Sequence, residues 1–213
     1  MSLLWIMILL LAGSTITVPL AILLLCSLYK QSTHPKILII SITYQLAYAL
    51  FGALHSSYSL FSQIFGPETS INEDLIFWTV IPLYSLRLAL PTTSLFLTFD
   101  RLCAMRFPIK YNSWLNRSLA IVCFGVTTFL VLSNFIAYLV HRSISSASPY
   151  VFGHYVHFMV IHVLNDVYTA VCLLNLVGTF LFLRRFYTFS RKQKRMNSVS
   201  SVQYQRLYSV RSF

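Results

Sequence analysis

Arg87 and Asp166 are charged side chains inside long apolar stretches of this 213-residue chain, and the pair Asp100-Arg101 closes one of these stretches. A charge in the hydrocarbon core of a bilayer is costly, about 2.5–3.5 kcal/mol for a central arginine on insertion scales. Such residues therefore face the interior of a helix bundle, pair with one another or line a water-filled cavity. Two kinds of chemistry fit them: an ion pair that opens during a conformational change, and a polar anchor for a bound ligand.

Arg87 and Asp166 fall at similar depths in their stretches. With a helical rise of 1.5 Å per residue, Arg87 lies about 20 Å above Asp100. Asp166 lies about 27 Å above Arg184, so the two depths differ by about 7 Å, which a long arginine nearly bridges. The sequence therefore predicts a hydrated Arg87–Asp166 pair beside a ligand cavity. An interhelical pair with no ligand role is the alternative.

Tyr84 and Tyr168 lie close in sequence to these two charges. A tyrosine has an apolar ring and a polar tip, so both are candidates to line the same cavity. The alternative is packing against lipid or at the membrane interface, where tyrosine is enriched.

Five apolar stretches would position these residues. Each exceeds the length of about 20 residues that a helix needs to cross a bilayer. Hydrophobic residues make up 57% of the chain and charged residues 10%, with a mean hydropathy of +0.70. No stretch alternates as a barrel strand does, so the sequence predicts an all-α, polytopic transmembrane helix bundle over residues 1–183. The predicted spans are 3–28, 37–65, 75–99, 119–140 and 158–183, followed by a basic cytoplasmic tail, 184–213. Pro82 and Pro91 should bend the third span.

Most of the 16 basic residues lie in loops 29–36 and 100–118 and in the tail after residue 183. The other two loops hold three acidic residues and one cation, Arg142. By the positive-inside rule, the N-terminus is outside and the C-terminal tail is cytoplasmic. The net charge of +11 is therefore explained by basic residues that face the anionic surface of the lipid bilayer, rather than by nucleic-acid binding.

Enzyme chemistry is not expected from this sequence. It has no nucleophile elbow, no phosphate-binding loop and no His–Glu metal motif. Three of its five acidic residues lie in one loop, which leaves few for acid–base chemistry, and its four cysteines lie in or beside predicted spans. We therefore expect no catalytic residues, no cofactor and no metal.

The end of the third span carries a family resemblance. Asp100-Arg101-Leu102 with Phe107-Pro108-Ile109 resembles the Asp/Glu-Arg-Tyr region of seven-helix, G-protein-coupled receptors. More narrowly, Ser85-Leu86-Arg87 and Arg106-Phe107-Pro108-Ile109-Lys110-Tyr111 resemble nematode serpentine chemoreceptors, in particular class BC. Leucine stands at position 102 in place of the usual tyrosine.

The resemblance implies a receptor in the plasma or ciliary membrane. Asp100 would hold Arg101 in the inactive state, and Arg101 would face a heterotrimeric G protein once released. A small external molecule would bind among the second, third and fifth spans, near Arg87 and Asp166, and would shift the equilibrium between two states.

Two alternatives to a signalling receptor stay open. The family has seven spans, so the resemblance also implies a chain truncated after the fifth, either a non-signalling receptor fragment or an accessory membrane protein. A small transporter or channel is less favoured, because the spans contain no continuous polar path.

Overall fold

The computed structural model describes residues 2–30, 36–65, 73–107, 111, 115–143 and 152–210, with regular structure that is helical throughout this part. The helices are α1 (Ser2–Tyr29), α2 (Lys36–Phe65), α3 (Glu73–Arg87), α4 (Ala89–Arg106), α5 (Asn116–Val140), a short 3-10 helix (Phe152–His154) and α6 (Phe158–Val210). The predicted all-α fold is confirmed.

Five helical segments of the described part are long and apolar enough to cross a membrane: Leu4–Tyr29, Lys36–Phe65, Asp74–Arg106, Asn116–Val140 and Phe158–Arg191. The third and fifth extend past the predicted ends at 99 and 183, because a helix pairs its own backbone groups and does not stop where side chains become polar. Helix α6 continues to Val210 without a break at the predicted start of the tail.

The third span is interrupted at Leu88, between α3 and α4. Pro91 causes the interruption, because it has no N–H to donate to the carbonyl of Arg87 and its ring crowds that carbonyl. We predicted Pro91 inside a helix, but it lies in the first turn of α4, where proline is tolerated. The backbone N–H of Thr92 donates to Leu88 O at 3.4 Å and carries the chain across the break.

The bundle is organised around α2 and the third span. Helix α2 packs against α1, α3, α4 and α5, while α6 packs mainly on α4. The third span is the most buried of the five. Hydroxyl groups join the helices at Ser41–Thr93 (3.2 Å between oxygens) and at Tyr44–Thr128 (2.7 Å). Such bonds and close small-residue contacts hold helices together where lipid provides no hydrophobic driving force.

Two apolar clusters define the two ends of the bundle. Ile37, Ala120 and Cys123 pack with Leu97 where α2 and α5 begin and α4 nears its end. We call this the basic end, because it also carries Lys30, Lys36, Arg106 and Arg117. At the opposite end, the start of α3, the end of α5 and residues 152–156 share a second cluster. The difference in charge that the sequence predicts between alternate loops thus corresponds to a difference between the two ends of the helix bundle.

Gly52 sets the distance between α1 and α2. A Cβ atom at this position would lie 2.9 Å from Ser14 Oγ, closer than real Cβ atoms approach. We expect Gly52→Val to lower the free energy of unfolding by about 1–3 kcal/mol, because the added methyl groups must push α1 away. Thermal unfolding in detergent measures this. Gly125→Val is the matched control, since nothing lies within 4 Å of its Cβ position. Equal stability of the two variants would contradict the close α1–α2 contact.

Candidate functional site

After α5, residues 141–143 and 152–157 pack on the opposite end of the bundle. Arg142 and Val156 form an isolated antiparallel bridge, with Ser143 N donating to Tyr155 O at 2.9 Å. Arg142 is ion-paired with Asp74, and its guanidinium lies 4.2 Å from the ring centroid of Phe77. These contacts fix the segment to α3, so that the 3-10 helix lies above the helices.

Phe152 joins this segment to the bundle. Its ring stacks on Tyr84 with centroids 3.9 Å apart and meets the edge of Tyr138 at 4.9 Å. The side chain is buried although it belongs to a loop. Phe152 therefore forms one wall of a cavity among α1, α2 and α3.

This cavity has a volume of about 250 Å³ and a mostly aliphatic and aromatic wall with a few polar groups. Its lining residues are Ile6, Met7, Leu10, Tyr48, His55, Val80, Leu83, Tyr84, Arg87 and Phe152. An apolar cavity with a few placed polar groups is the usual form of a small-molecule site. Its size suits a molecule smaller than a typical drug.

Arg87 is half-buried at the inner end of α3 and has only neutral partners on α6. Its Nη1 donates to Asn165 Oδ1 at 3.4 Å, and its guanidinium lies 4.1 Å from the ring centroid of Tyr168. A bond of that length is weak, and a cation–π contact does not neutralise the charge. No acidic side chain in the described ranges pairs with Arg87, so its positive charge is uncompensated there, at the cavity.

Asp166 does not form the predicted pair with Arg87. In the described part of the chain, the one ion pair is Arg142–Asp74, and Asp166 is exposed on α6. Asn165 and Tyr168 are three residues apart and share a face of α6, whereas Asp166 is rotated about 100° from Asn165. The depth estimate was close, but depth alone does not give the direction in which a side chain points.

Sequence reasoning missed three residues at this site: Asn165, His55 and Phe152. His55 is buried within the second apolar stretch, and its Nδ1 lies 3.3 Å from Thr79 Oγ1. A histidine in an apolar stretch is a signal of the same kind as Arg87 and could have been used. Phe152 gives no such signal, because its role depends on how the loop folds.

At the basic end, Asp100 is buried, with 3% of its surface exposed, while Arg101 is exposed. The structure does not join the two by an ion pair, within the residues it describes. Neighbours in a helix point about 100° apart, so they do not face each other. Instead, the hydroxyl of Tyr111 donates to Asp100 Oδ1 at 2.6 Å. The resemblance implied that Asp100 holds Arg101; the structure gives Tyr111 as the partner of Asp100.

Tyr111 lies beyond α4, in the segment between the third and fourth spans. Burial, and then its hydrogen bond to Asp100, raise the pKa of the Tyr111 phenol well above its usual value. The phenol therefore keeps its proton throughout the physiological pH range and remains a donor to Asp100.

Helices with apolar outer faces, five of them long enough to span a bilayer, make this a multi-pass membrane protein. The sequence model of the serpentine type 7TM GPCR chemoreceptor Srbc family matches residues 1–146, more than half of the chain. The chain belongs to this family, which confirms the resemblance to serpentine chemoreceptors of class BC. Among curated proteins, none matches the chain significantly.

We expect Tyr111→Phe to destabilise the protein by about 1.5–3 kcal/mol, because it removes the hydroxyl that pairs with the buried Asp100 carboxyl while keeping the ring. Thermal unfolding in detergent checks this. Tyr187→Phe is the matched control, since Tyr187 is exposed on α6 and its ring contacts Arg191 through the face. A Tyr111→Phe protein as stable as the control would mean that the bond contributes nothing.

Proposed function

We propose that this chain is a chemosensory receptor that binds a small external molecule in the cavity beside Arg87 and signals through a heterotrimeric G protein at the basic end. Membership of a serpentine chemoreceptor family supports the receptor class. The single observation that carries the ligand site is the uncompensated charge of Arg87 at the cavity.

The charge of Arg87 is costly at its place within the third span. An arginine inside a membrane span needs a compensating partner. The contacts of Arg87, an amide oxygen and a ring face, are neutral. A ligand with a strong hydrogen-bond acceptor would supply the missing partner, and Tyr84 and Phe152 offer stacked rings for its apolar part.

The third span would link this cavity to the G protein. Arg87 is the last residue of α3, directly before the interruption at Leu88, and α4 runs from there to Asp100 and Arg101. A ligand that prefers one arrangement of the interruption would shift the population of α4 positions. Arg101, exposed at the basic end, would then contact the G protein, and the Asp100–Tyr111 bond would favour one of the two states.

If the ligand binds at Arg87, variants on α3 and α6 should lose ligand affinity to different degrees. We expect Arg87→Gln to weaken ligand affinity about tenfold or more, because it removes the charge, and Asn165→Ala to have a smaller effect. The measurement is a thermal-shift screen of the protein in lipid nanodiscs against a panel of small organic molecules, since any molecule that binds the folded state raises its melting temperature. Arg117→Gln, at the basic end, is the control for removing one charge.

The variant Asp166→Asn tests whether Asp166, in addition to Asn165, takes part in ligand binding beside Arg87. If Asp166 takes part in binding, this variant should lose as much affinity as Arg87→Gln. We expect no comparable loss, because Asp166 is exposed and is rotated about 100° around α6 from Asn165, the residue that contacts Arg87. If molecules of the panel bind and their affinity is unchanged by Arg87→Gln, the proposed site is refuted. If no molecule of the panel binds, the proposed function is refuted.

We further propose that the N-terminus faces the exterior and the basic end faces the cytoplasm of the plasma or ciliary membrane. An epitope at the N-terminus should be stained on intact cells, and an epitope at the C-terminus only after permeabilisation. The sequon Asn116-Arg117-Ser118 lies at the basic end and should carry no glycan. A glycan on Asn116, detected as a glycosidase-sensitive mass shift, would reverse the orientation.

A further inference from the structure

A second cavity, larger than the first, lies at the basic end between α4 and α6. It has a volume of about 910 Å³. Both helices run toward the basic end here, so that Phe99 to Phe107 lie beside Leu181 to Phe189. Eight residues of helix correspond to a groove about 12 Å long. We call this the arginine groove, after Arg106, Arg184 and Arg185 in its lining.

Charge and apolar surface are combined in the arginine groove. Phe99, Leu102 and Leu181 form its inner part, toward the middle of the membrane. The three arginines line the part nearer the basic end, and no acidic residue lines it. The nearest acid along α4, Asp100, is buried and bonded to Tyr111. The groove thus offers three cations above an apolar floor.

We propose that the arginine groove binds an anionic phospholipid of the leaflet at the basic end, which is the cytoplasmic leaflet if the orientation proposed above is right. Guanidinium groups bind phosphate through paired, charge-assisted hydrogen bonds, so the arginines hold the headgroup. The acyl chains lie along Phe99, Leu102 and Leu181 toward the membrane interior.

The depth of the three arginines suits a headgroup. Arg106 is the last residue of the third span, and Arg184 and Arg185 lie within the last turns of the fifth. At this level long cationic side chains reach the polar interface of the bilayer. Anionic lipids of the cytoplasmic leaflet also attract basic residues placed at this level, and the groove adds to this attraction the hydrogen bonds of its guanidinium groups.

The same charges disfavour the other occupants of such a groove. An apolar helix laid over it would bury three arginines without a partner, which is costly. A water-soluble anion would pair with the arginines but leave the apolar floor uncovered. A phospholipid satisfies both parts at once.

The test uses the full chain in vesicles of phosphatidylcholine with a minor share of phosphatidylserine. The quantity measured is the ratio of phosphatidylserine to phosphatidylcholine that stays bound on extraction, relative to the bulk ratio. We expect clear enrichment for the unaltered chain. The triple variant Arg106→Gln, Arg184→Gln, Arg185→Gln should lose about tenfold or more of it and approach the bulk ratio, because it removes the guanidinium groups that pair with the phosphate.

The matched control is the triple variant Lys30→Gln, Lys36→Gln, Arg117→Gln. It removes the same charge from exposed positions at the same end, outside the groove. We expect it to retain the enrichment. An equal loss in both triple variants would mean diffuse attraction to a basic surface and would overturn the proposal. Absence of enrichment in the unaltered chain would overturn it as well.

A competition experiment separates the lipid from a free anion. Glycerophosphoserine, the soluble headgroup, should not displace phosphatidylserine at equal concentration, because it lacks the acyl chains that contact Leu102 and Leu181. Displacement would show a simple anion site and refute the lipid. Elution volume in size-exclusion chromatography checks that each variant is folded. None of these outcomes depends on the ligand cavity, so the proposed receptor function is tested separately.

Discussion

The hydrocarbon core of a bilayer offers no hydrogen-bond partner, and this constraint arranges the whole bundle. A polar side chain along a span is stabilised by a partner inside the protein, and the third span, with its arginine, acid and threonines, is the most buried of the five. Ser41 bonded to Thr93, and Asn175 to Ser94, attach α2 and α6 to this span. The large side chains left on the outer faces are apolar and face lipid.

The same constraint concentrates the candidate functional features on one span. Arg87 lies at the cavity, directly before the interruption caused by Pro91, and Asp100 lies 13 residues further along. A break in the backbone hydrogen bonds lets a helix bend, so such a break between a proposed ligand site and a proposed coupling site can allow two arrangements of similar energy. The Asp100–Tyr111 bond and the arginine groove lie at the far end of that span, where such a difference would reach the membrane surface.

Several parts of the candidate site followed from residue type and depth alone. A charge in or at the end of an apolar stretch marked Arg87 and Asp100 without any knowledge of contacts, whereas Asp166, marked in the same way, does not line the cavity. The contact partners of these charges could not be derived from residue type and depth. Arg87 meets Asn165 rather than Asp166, and Asp100 meets Tyr111 rather than Arg101. Asp166 is adjacent to Asn165, the observed partner of Arg87, and Arg101 is adjacent to Asp100 itself. One position along a helix is a rotation of about 100°, which directs neighbouring side chains apart.

By itself, the sequence determined the number of spans, their helical nature, the two unlike ends and the depth of each charge. These follow from local composition and from the fixed rise of a helix. Only the tertiary structure decided which faces of the helices meet, how residues 152–157 fold over α3, and that α4 and α6 run side by side to form a groove. The physical reason is that rotation about a helix axis and the course of a loop depend on contacts between residues far apart in the chain.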